Sequence, residues 1–368
     1  MRKHENSMNF RPNYTRPAGK IYEEFFLAYL AHTHDLNILA TCELVGAARN
    51  IPSWVPDWSI SSEARSLPVY SAAGNSVGNV QHIGHGILRA SGIGCATINH
   101  MEETFPQGMK YHPLSVIAAI QRLCPRDLLE NCSSYALGGS LLEAYCRTFI
   151  VDLFSENYIP PPTSYPPFKD CEDTIRYVLT CRSASNKDAS QLSYEASSYL
   201  NCAFEYLRGR SFVKTDEGYI GIVPKSTKLR DRVCVLLGYS NPMVLRPIAN
   251  GQFLVVGECY IEGLMYKSAL LGPLPPHIQF VSRLNEEVGS YRNAYIDRES
   301  GDMSAHDPRL SPLPKGWKIK SHPKDHLEQI FEKGGGEGMK PIETYGDPRL
   351  TTEALRERGV PVVDFELV

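Results

Sequence analysis

The chain has 368 residues, of which 42% are hydrophobic and 21% are charged, and its formal net charge at pH 7 is -3. A chain of this length can bury a substantial core and is expected to form two or three structural units of a globular protein. The small negative charge gives no broad basic field, so we do not expect a nucleic-acid partner. No apolar run approaches the roughly 20 residues that span a bilayer, and no apolar stretch follows the basic start. We therefore expect no membrane span and a cytoplasmic location.

The spacing of apolar and turn residues divides the chain into five segments. They are an N-terminal helix with a PSWVPDWS segment (1–60), a glycine-rich β region (61–110), a helical insert (111–210), a β-meander module (211–268) and an extended C-terminal tail with a helix and two Asp-Pro-Arg-Leu turns (269–368). This order predicts an α+β fold, in which a helical region is combined with a small antiparallel β-meander or barrel-like module.

The N-terminal segment carries the most concentrated aromatic motif. Residues 20–34 place apolar side chains at helical spacing, which predicts a helix packed on a core. The prolines of the following segment exclude regular structure there. Its Trp54 and Trp58 have two possible roles. They form either a rigid wedge between structural units, each burying on the order of 150–250 Å², or an aromatic ligand cradle with Asp57 as its charged group. We favour the wedge, and these three residues are the candidate binding residues.

The stretch from Gly74 to Gly94 is rich in glycine but has no phosphate-binding pattern. Neither GxxxxGK[ST] nor GxGxxG occurs in it, and its glycines interrupt strand-like pieces at Ile87–Ala90 and Gly92–Ile98. We therefore predict hairpin turns and bulges. Four helices are predicted after this region, at Leu114–Leu123, Leu141–Phe154, 171–183 and 191–208.

The meander module gives the clearest pattern in the chain. Short apolar runs of period two, bounded by turn residues, predict five strands at Phe212–Thr215, Tyr219–Val223, Val233–Leu237, Met243–Ile248 and Gln252–Ile261. Asn250-Gly251 between the last two is typical of a type I′ hairpin, which needs positive φ at both central residues. Five such strands form a compact sheet or a small barrel.

Two charged residues of the meander are the only catalytic candidates. Arg246 and Glu258 lie on either side of the Asn250-Gly251 turn, so we expect them to be cross-strand neighbours. As an exposed ion pair they would contribute roughly 0–1 kcal/mol. Facing a cavity, Glu258 could act as an acid or base and Arg246 as an anion clamp. We favour the structural pair, so the catalytic residues are unknown.

Other reactive patterns do not occur. The chain has no GxSxG and no HExxH motif, and its ten cysteines form no CxxC pair. Scattered cysteines of this kind are mostly small buried hydrophobic residues. We expect no metal site and no cofactor.

The tail contains an internal repeat, Asp307-Pro-Arg-Leu310 and Asp347-Pro-Arg-Leu350. An Asp-Pro turn followed by an arginine and a buried leucine is suited to anchoring the chain, so we interpret the repeat as two similar docking turns. A helix is predicted between the meander and the first turn, at Phe280–Tyr291.

Four stretches together resemble a known family. They are IPSWVPDWS (51–59), GYIGIVPKSTKLRDRVCVLLGYSNPMVLRPI (218–248), VVGECYIEGLM (255–265) and GDPRLTTEALRERGVPVVDFELV (346–368). In combination they look like the region that follows the HET domain in fungal heterokaryon-incompatibility proteins, and the resemblance extends with gaps from about Tyr14 to Val368. In that family the amino-terminal HET domain is associated with triggering cell death after non-self recognition. The chain begins where that domain would already have ended, so we expect the HET domain itself to be absent, through a truncated gene model or in a truncated paralogue.

The resemblance implies a non-catalytic interaction or regulatory protein in a fungal pathway of non-self recognition and programmed cell death, with protein partners in the cytosol. The alternative is a small-molecule enzyme recruited to secondary metabolism, with a pocket between the helical insert and the β module. That alternative requires a deep apolar pocket with convergent polar groups, one of them a carboxylate with a perturbed pKa, and a small molecule as partner. We favour the non-catalytic interpretation.

Overall fold

A computed structural model gives the fold of the chain. It describes residues 8, 10–44, 51–60, 64–106, 108–130, 134–181, 192–287, 289–322, 325–334 and 341–368. Within them lie an amino-terminal helix, a helical region, a large sheet and a tail that is mostly β-structure. The predicted α+β class is confirmed. Of the ten cysteines, nine are described and are free thiols, and Cys132 lies outside the described residues.

The described residues form seven α-helices. They are α1 (Ala18–Thr33), α2 (Pro113–Leu123), α3 (Leu141–Phe149), α4 (Phe168–Thr180), α5 (Tyr194–Leu207), α6 (Ser268–Leu271) and α7 (Thr352–Glu357). The four helices predicted for the helical insert are present, although the predicted ends at 183 and 191 lie outside the described residues. Helix α3 stops before the predicted Phe154, because Val151 and Asp152 adopt positive φ angles that a right-handed helix excludes.

Sixteen strands are described. They are β1 (Val80–Gly84), β2 (Ile87–Glu103), β3 (Tyr158–Ile159), β4 (Arg210–Thr215), β5 (Ile220–Pro224), β6 (Arg232–Leu236), β7 (Met243–Pro247), β8 (Gln252–Glu258), β9 (Tyr260–Ile261), β10 (Ile278–Asn285), β11 (Ser290–Asp297), β12 (Met303–Ser304), β13 (Trp317–His322), β14 (Asp325–Lys333), β15 (Ile342–Thr344) and β16 (Val363–Leu367). The five meander strands are confirmed, the last of them divided at Cys259. The Asn250-Gly251 turn is also confirmed, with φ of 64° and 75°.

Five of the strands close into a ring. Strand β2 pairs antiparallel with β6, which continues through β7 to β8. The C-terminal strand β16 pairs parallel with β8 and antiparallel with β2, and so completes the ring. Since a closed ring leaves no free edge between these strands, the end of the chain is part of the barrel rather than an extended tail.

The second half of β2 extends the same sheet in another direction. Beyond the ring it pairs with β4, which leads through β5 to β9.

Alternate residues of β6 and β7 face two different cores, one on each side of the sheet. Cys234 and Met243 pack with α1 and Trp54 inside the five-stranded ring, while Val233 and Val244 pack against residues of β4, β5 and β9. Both cores are filled by buried apolar side chains.

The helical insert shares a third core with the strands that extend the sheet beyond the ring. Helices α2 to α5 pack with residues of β4, β5 and β9. Tyr145 of α3 stacks on Phe212 of β4, with ring centroids 5.6 Å apart and an interplanar angle of 20°. The insert and the meander are thus joined through buried aromatic contacts, which fixes the position of α3 against β4 and β5.

The helix predicted at Phe280–Tyr291 is wrong. These residues belong to the hairpin of β10 and β11, in which Phe280 pairs with Tyr295 and Leu284 with Tyr291. One face of β10 carries Ile278, Phe280, Ser282 and Leu284, so a period of two describes the segment better than the helical period. Gly289, with a φ of 65°, lies in the turn between the two strands.

The two Asp-Pro-Arg-Leu turns, residues 307–310 and 347–350, have the same internal structure. In each, the arginine donates from Nε and Nη2 to the two carboxylate oxygens of the aspartate two residues earlier. Arg309 also donates to the carbonyls of Tyr266 and Gly272, at 3.0 and 2.6 Å, and Arg349 donates to the carbonyl of Ser311 at 2.9 Å. Both arginines therefore fasten neighbouring backbone, as the docking interpretation predicts.

Candidate functional site

Glu258 lies in a buried network that fastens a loop to the barrel. Its Oε1 accepts from the backbone N–H of Leu67 at 3.1 Å, and its Oε2 accepts from Tyr239 Oη at 3.2 Å and from Asn241 Nδ2 at 3.0 Å. Burial raises the pKa of the carboxyl, while these hydrogen bonds and Arg210 oppose the rise. Both carboxylate oxygens are already engaged by the protein, which favours a structural role for this catalytic candidate.

Arg246 belongs to a different contact. Its Nε and Nη2 donate to the two carboxylate oxygens of Asp231, at 2.9 and 2.8 Å, and Nη2 also donates to the carbonyl of Ser226. This bidentate pair closes the loop between β5 and β6. The predicted pairing of Arg246 with Glu258 is wrong, because the register places Glu258 opposite Met243. Arg246 itself lies opposite Leu254, four residues before Glu258 along β8.

The three candidate binding residues of the PSWVPDWS segment do not form a common cradle. Trp54 is completely buried, packs edge-on against Phe26 and donates from Nε1 to the carbonyl of Gly86 at 2.8 Å. Trp58 is 44% exposed and packs against the outer side of α1. Asp57 accepts from the backbone N–H of Ser59 at 3.1 Å, as in an Asx turn. Trp54 thus fits the wedge interpretation, whereas Trp58 lies at the surface.

A pocket of about 280 Å³ lies between the helical insert and the barrel. One side is formed by α3 and the loop before it, and the other by the chain that leaves β9. It is lined by Tyr135, Leu137, Gly138, Gly139, Ser140, Glu143, Ala144, Arg147, Glu262, Gly263, Tyr266, Ser268, Pro273 and Leu274. We call it the α3 pocket. It occupies the place that the enzyme alternative requires.

Charged residues converge on the floor of the α3 pocket. Arg147 donates from Nε and Nη2 to Glu143 Oε1, at 3.1 and 2.7 Å, and from Nη1 to Asp152. Asp152 also accepts from Tyr266 Oη at 2.9 Å. The Arg147 guanidinium lies over the rings of Phe154 and Phe168 as well. It is therefore held from several directions, with little freedom to turn toward a ligand.

Glu262 contributes a carboxyl with a strongly raised pKa to this pocket. The residue is half-buried, its carboxyl is enclosed by protein atoms, and its Oε2 accepts a hydrogen bond from Tyr260 Oη. The pKa of Glu262 is raised to about 8, chiefly by burial; Asp152 and Glu143 also raise it, while Arg147 and the hydrogen bond from Tyr260 lower it. A carboxyl of this kind can exchange a proton near neutral pH.

Neighbouring parts of the fold hold the walls of the pocket in place. Arg309 of the first Asp-Pro-Arg-Leu turn binds the carbonyls of Tyr266 and Gly272, at the two ends of the 266–272 wall. Tyr135 Oη donates to the carbonyl of Glu262 at 3.0 Å. Gly263 has a φ of 84°, and a Cβ there would stand 2.5 Å from Leu137. The pocket is thus formed before any ligand arrives.

The fold beside this pocket is similar to a known domain. Residues 163–269 match the Het-6 beta-barrel domain. The match confirms, for this stretch, the resemblance to the C-terminal region of heterokaryon-incompatibility proteins. The Het-6 beta-barrel match contains α4, α5 and strands β4 to β9, whereas β2 and β16, which complete the five-stranded ring, lie outside it. No curated protein and no solved structure matches the chain.

Two other kinds of feature are absent from the described residues. No group of three or more His, Cys, Asp or Glu side chains there is placed to hold a metal ion. None of the helices in those residues combines the length and apolar character needed to cross a bilayer.

The sequence did not identify the residues of the α3 pocket. One local signal was available, since Ser140 and Glu143 have the spacing of a capping box, and Ser140 Oγ does accept from the Glu143 backbone N–H. Glu143 and Arg147 also have the i,i+4 spacing of a helical ion pair. Neither pattern points to a pocket, and Glu262 is distant in sequence from both. Only the packing of α3 on the Het-6 beta-barrel brings these residues together.

Proposed function

We propose that the chain is a non-catalytic interaction or regulatory protein of the heterokaryon-incompatibility type, acting on protein partners in fungal non-self recognition and programmed cell death. The Het-6 beta-barrel match is the observation that carries this proposal. The structure of the candidate catalytic residues supports it, because Glu258 and Arg246 each satisfy contacts within the barrel. Apolar side chains also fill both cores of the sheet, which is typical of a scaffold.

The proposal predicts that the folded barrel captures a specific partner. Tagged wild-type protein, incubated with fungal lysate, should recover the same protein in independent replicates, as identified by mass spectrometry. Val244→Asp places a charge in a fully buried position of the sheet and should abolish capture, since an unpaired buried charge disrupts the fold. Val69→Asp is the matched control, because Val69 is 82% exposed and the same change there should preserve both fold and capture. Recovery of no reproducible protein by the wild type would contradict the proposal.

A second function is favoured by one observation. The α3 pocket lies between the helical insert and the β module, with a carboxyl of raised pKa in its wall. These are features of the alternative, a small-molecule enzyme of fungal secondary metabolism, in which Glu262 would act as the acid or base.

The enzyme alternative predicts consumption of a small molecule. Wild-type protein incubated with a fungal metabolite extract should deplete at least one compound over time, as followed by liquid chromatography and mass spectrometry. Glu262→Gln preserves the size of the side chain but cannot exchange the proton, so the depletion should slow by about 10²-fold or more. Identical metabolite profiles with wild-type protein, with the variant and without protein would argue against catalysis.

A further inference from the structure

The α3 pocket and its floor carry an excess of negative charge. The carboxylates of Glu143 and Asp152 stand against the single guanidinium of Arg147, and Glu262 adds a third negative charge when its carboxyl ionises. Lys267, the next cation along the chain, is directed elsewhere, with its Nζ 2.9 Å from Asp307. The electrostatic field in the pocket therefore favours a positively charged guest.

Two carboxylate oxygens at the pocket lack a protein partner among the described residues. Arg147 binds only Oε1 of Glu143, and Tyr260 binds only Oε2 of Glu262. The other oxygen of each side chain accepts no hydrogen bond from the described part of the chain. Both residues line the same pocket, so these oxygens are available to a donor placed inside it.

An anionic guest is disfavoured by the state of Arg147. Its donors are directed at Glu143 and Asp152, and its flat faces lie near two phenylalanine rings. Binding an anion would require breaking these contacts and would add charge to an already negative site. A metal ion is disfavoured as well, since these carboxylates do not form a group that could hold one.

We propose that the α3 pocket binds a small organic cation, an ammonium or guanidinium group, through the carboxylates of Glu143 and Glu262. Such groups are rich in N–H donors, and charge-assisted hydrogen bonds to carboxylates are stronger than neutral ones. The tyrosines of the lining, Tyr135 and Tyr266, supply aromatic surface beside the cation. This inference goes beyond the interaction function and requires no catalysis, so each of the three ideas can fail alone.

The volume of the pocket limits the guest. About 280 Å³ lies just below the roughly 300–1,000 Å³ of ordinary ligand pockets, so the site fits a charged group with a short chain. That group could belong to a free small molecule or to a lysine or arginine side chain of another protein. Both sources present the same chemistry to the carboxylates, and they are separated by the choice of probe.

Binding of the cation should be linked to the proton on Glu262. The groups that surround its side chain are Glu143 and Arg147 from α3, Asp152 from the turn after α3, Tyr260 from β9, and Tyr135 and Tyr266 from the pocket walls. Because the pKa of Glu262 is raised, the protonated form predominates at and below neutral pH. A cation binds the ionised form more tightly, so its affinity should rise with pH up to the pKa and level off above it.

The probe pair is butylguanidinium and butylurea. The two are similar in shape, and the guanidinium keeps its charge throughout the pH range from 6 to 9. Isothermal titration calorimetry should show binding of butylguanidinium whose affinity rises about tenfold or more from pH 6 to pH 9. Butylurea should not bind measurably. A capped Gly-Arg-Gly peptide is the second arm; tighter binding of the peptide identifies a protein side chain as the source, and tighter binding of butylguanidinium identifies a free molecule.

Variants test the role of Glu262. Glu262→Gln retains an acceptor for Tyr260 and should stay folded, which the thermal unfolding midpoint will verify. It should weaken butylguanidinium binding at pH 9 by about tenfold, to the level of the wild type at pH 6, and remove the rise with pH. Glu353→Gln, an exposed residue on α7, is the control and should change neither. Equal binding of butylguanidinium and butylurea, no binding of either the probe or the peptide at pH 9, or an unchanged pH profile in Glu262→Gln would each overturn the proposal.

Discussion

Trp54→Ala should lower the free energy of unfolding by about 3–5 kcal/mol, the usual cost of truncating a large buried aromatic side chain. Trp54 has no exposed surface, and it fills the five-stranded ring together with Phe26 of α1. Its removal would leave a cavity between α1 and the sheet and an unpaired carbonyl at Gly86. Urea unfolding followed by circular dichroism would measure the loss, with the midpoint shifted and the slope unchanged.

Trp58→Ala is the matched control for this prediction. The same substitution four residues later removes a side chain that is 44% exposed and touches Tyr22 and Phe25 edge-on. Each aromatic contact of this kind contributes about 0.5–1.5 kcal/mol, so the total loss should be about 1–2 kcal/mol. Equal losses for the two variants would refute the assignment of Trp54 as the wedge.

The meander strands could be read from the sequence because their signals are local. Each apolar run of period two is bounded by a turn residue, and positive φ at Asn250 and Gly251 follows from the chemistry of those two residues. The closure of the ring has no such local signal. It depends on the pairing of Phe365 in β16 with Ala90 in β2, which are far apart in the sequence. Propensity and periodicity do not encode a pairing between such distant segments, so the sequence alone predicts a tail at the C-terminal strand.

The candidate site shows the same limit. Glu258 and Arg246 lie near one turn in the sequence, yet the hairpin register places Arg246 opposite Leu254, and the buried Asp231 binds its guanidinium. The pocket residues Glu143 and Glu262 come from the helical insert and from the end of the meander. Their approach is a consequence of packing between α3 and the barrel, which sequence spacing alone does not reveal.

Asp347→Ala should lower the free energy of unfolding by about 3–5 kcal/mol. Asp347 and Arg349 are both buried, with side chains 4% and 3% exposed, and they form two charge-assisted hydrogen bonds of 2.8 and 2.9 Å. Removing the carboxylate leaves the guanidinium buried without its counter-ion, and this unpaired charge accounts for most of the cost. The turn also caps its own backbone, since Asp347 Oδ1 accepts from the Arg349 N–H, and that contact is lost too.

The double variant Asp347→Leu with Arg349→Met separates the cost of an unpaired charge from the value of the pair. If the unpaired charge dominates, the double variant should be more stable than Asp347→Ala, because apolar side chains of similar volume can replace a buried ion pair at little cost.

Glu366→Ala is the exposed counterpart of Asp347→Ala. It breaks the ion pair between Arg89 and Glu366, whose side chains are 41% and 33% exposed, and should shift the unfolding midpoint only slightly. A shift for Glu366→Ala as large as that for Asp347→Ala would show that burial does not determine the cost. Hydrogen exchange would then locate the effect: in Asp347→Ala, amides at 347–350 and at the neighbouring Ser311 segment should lose protection first, since Arg349 joins the two turns.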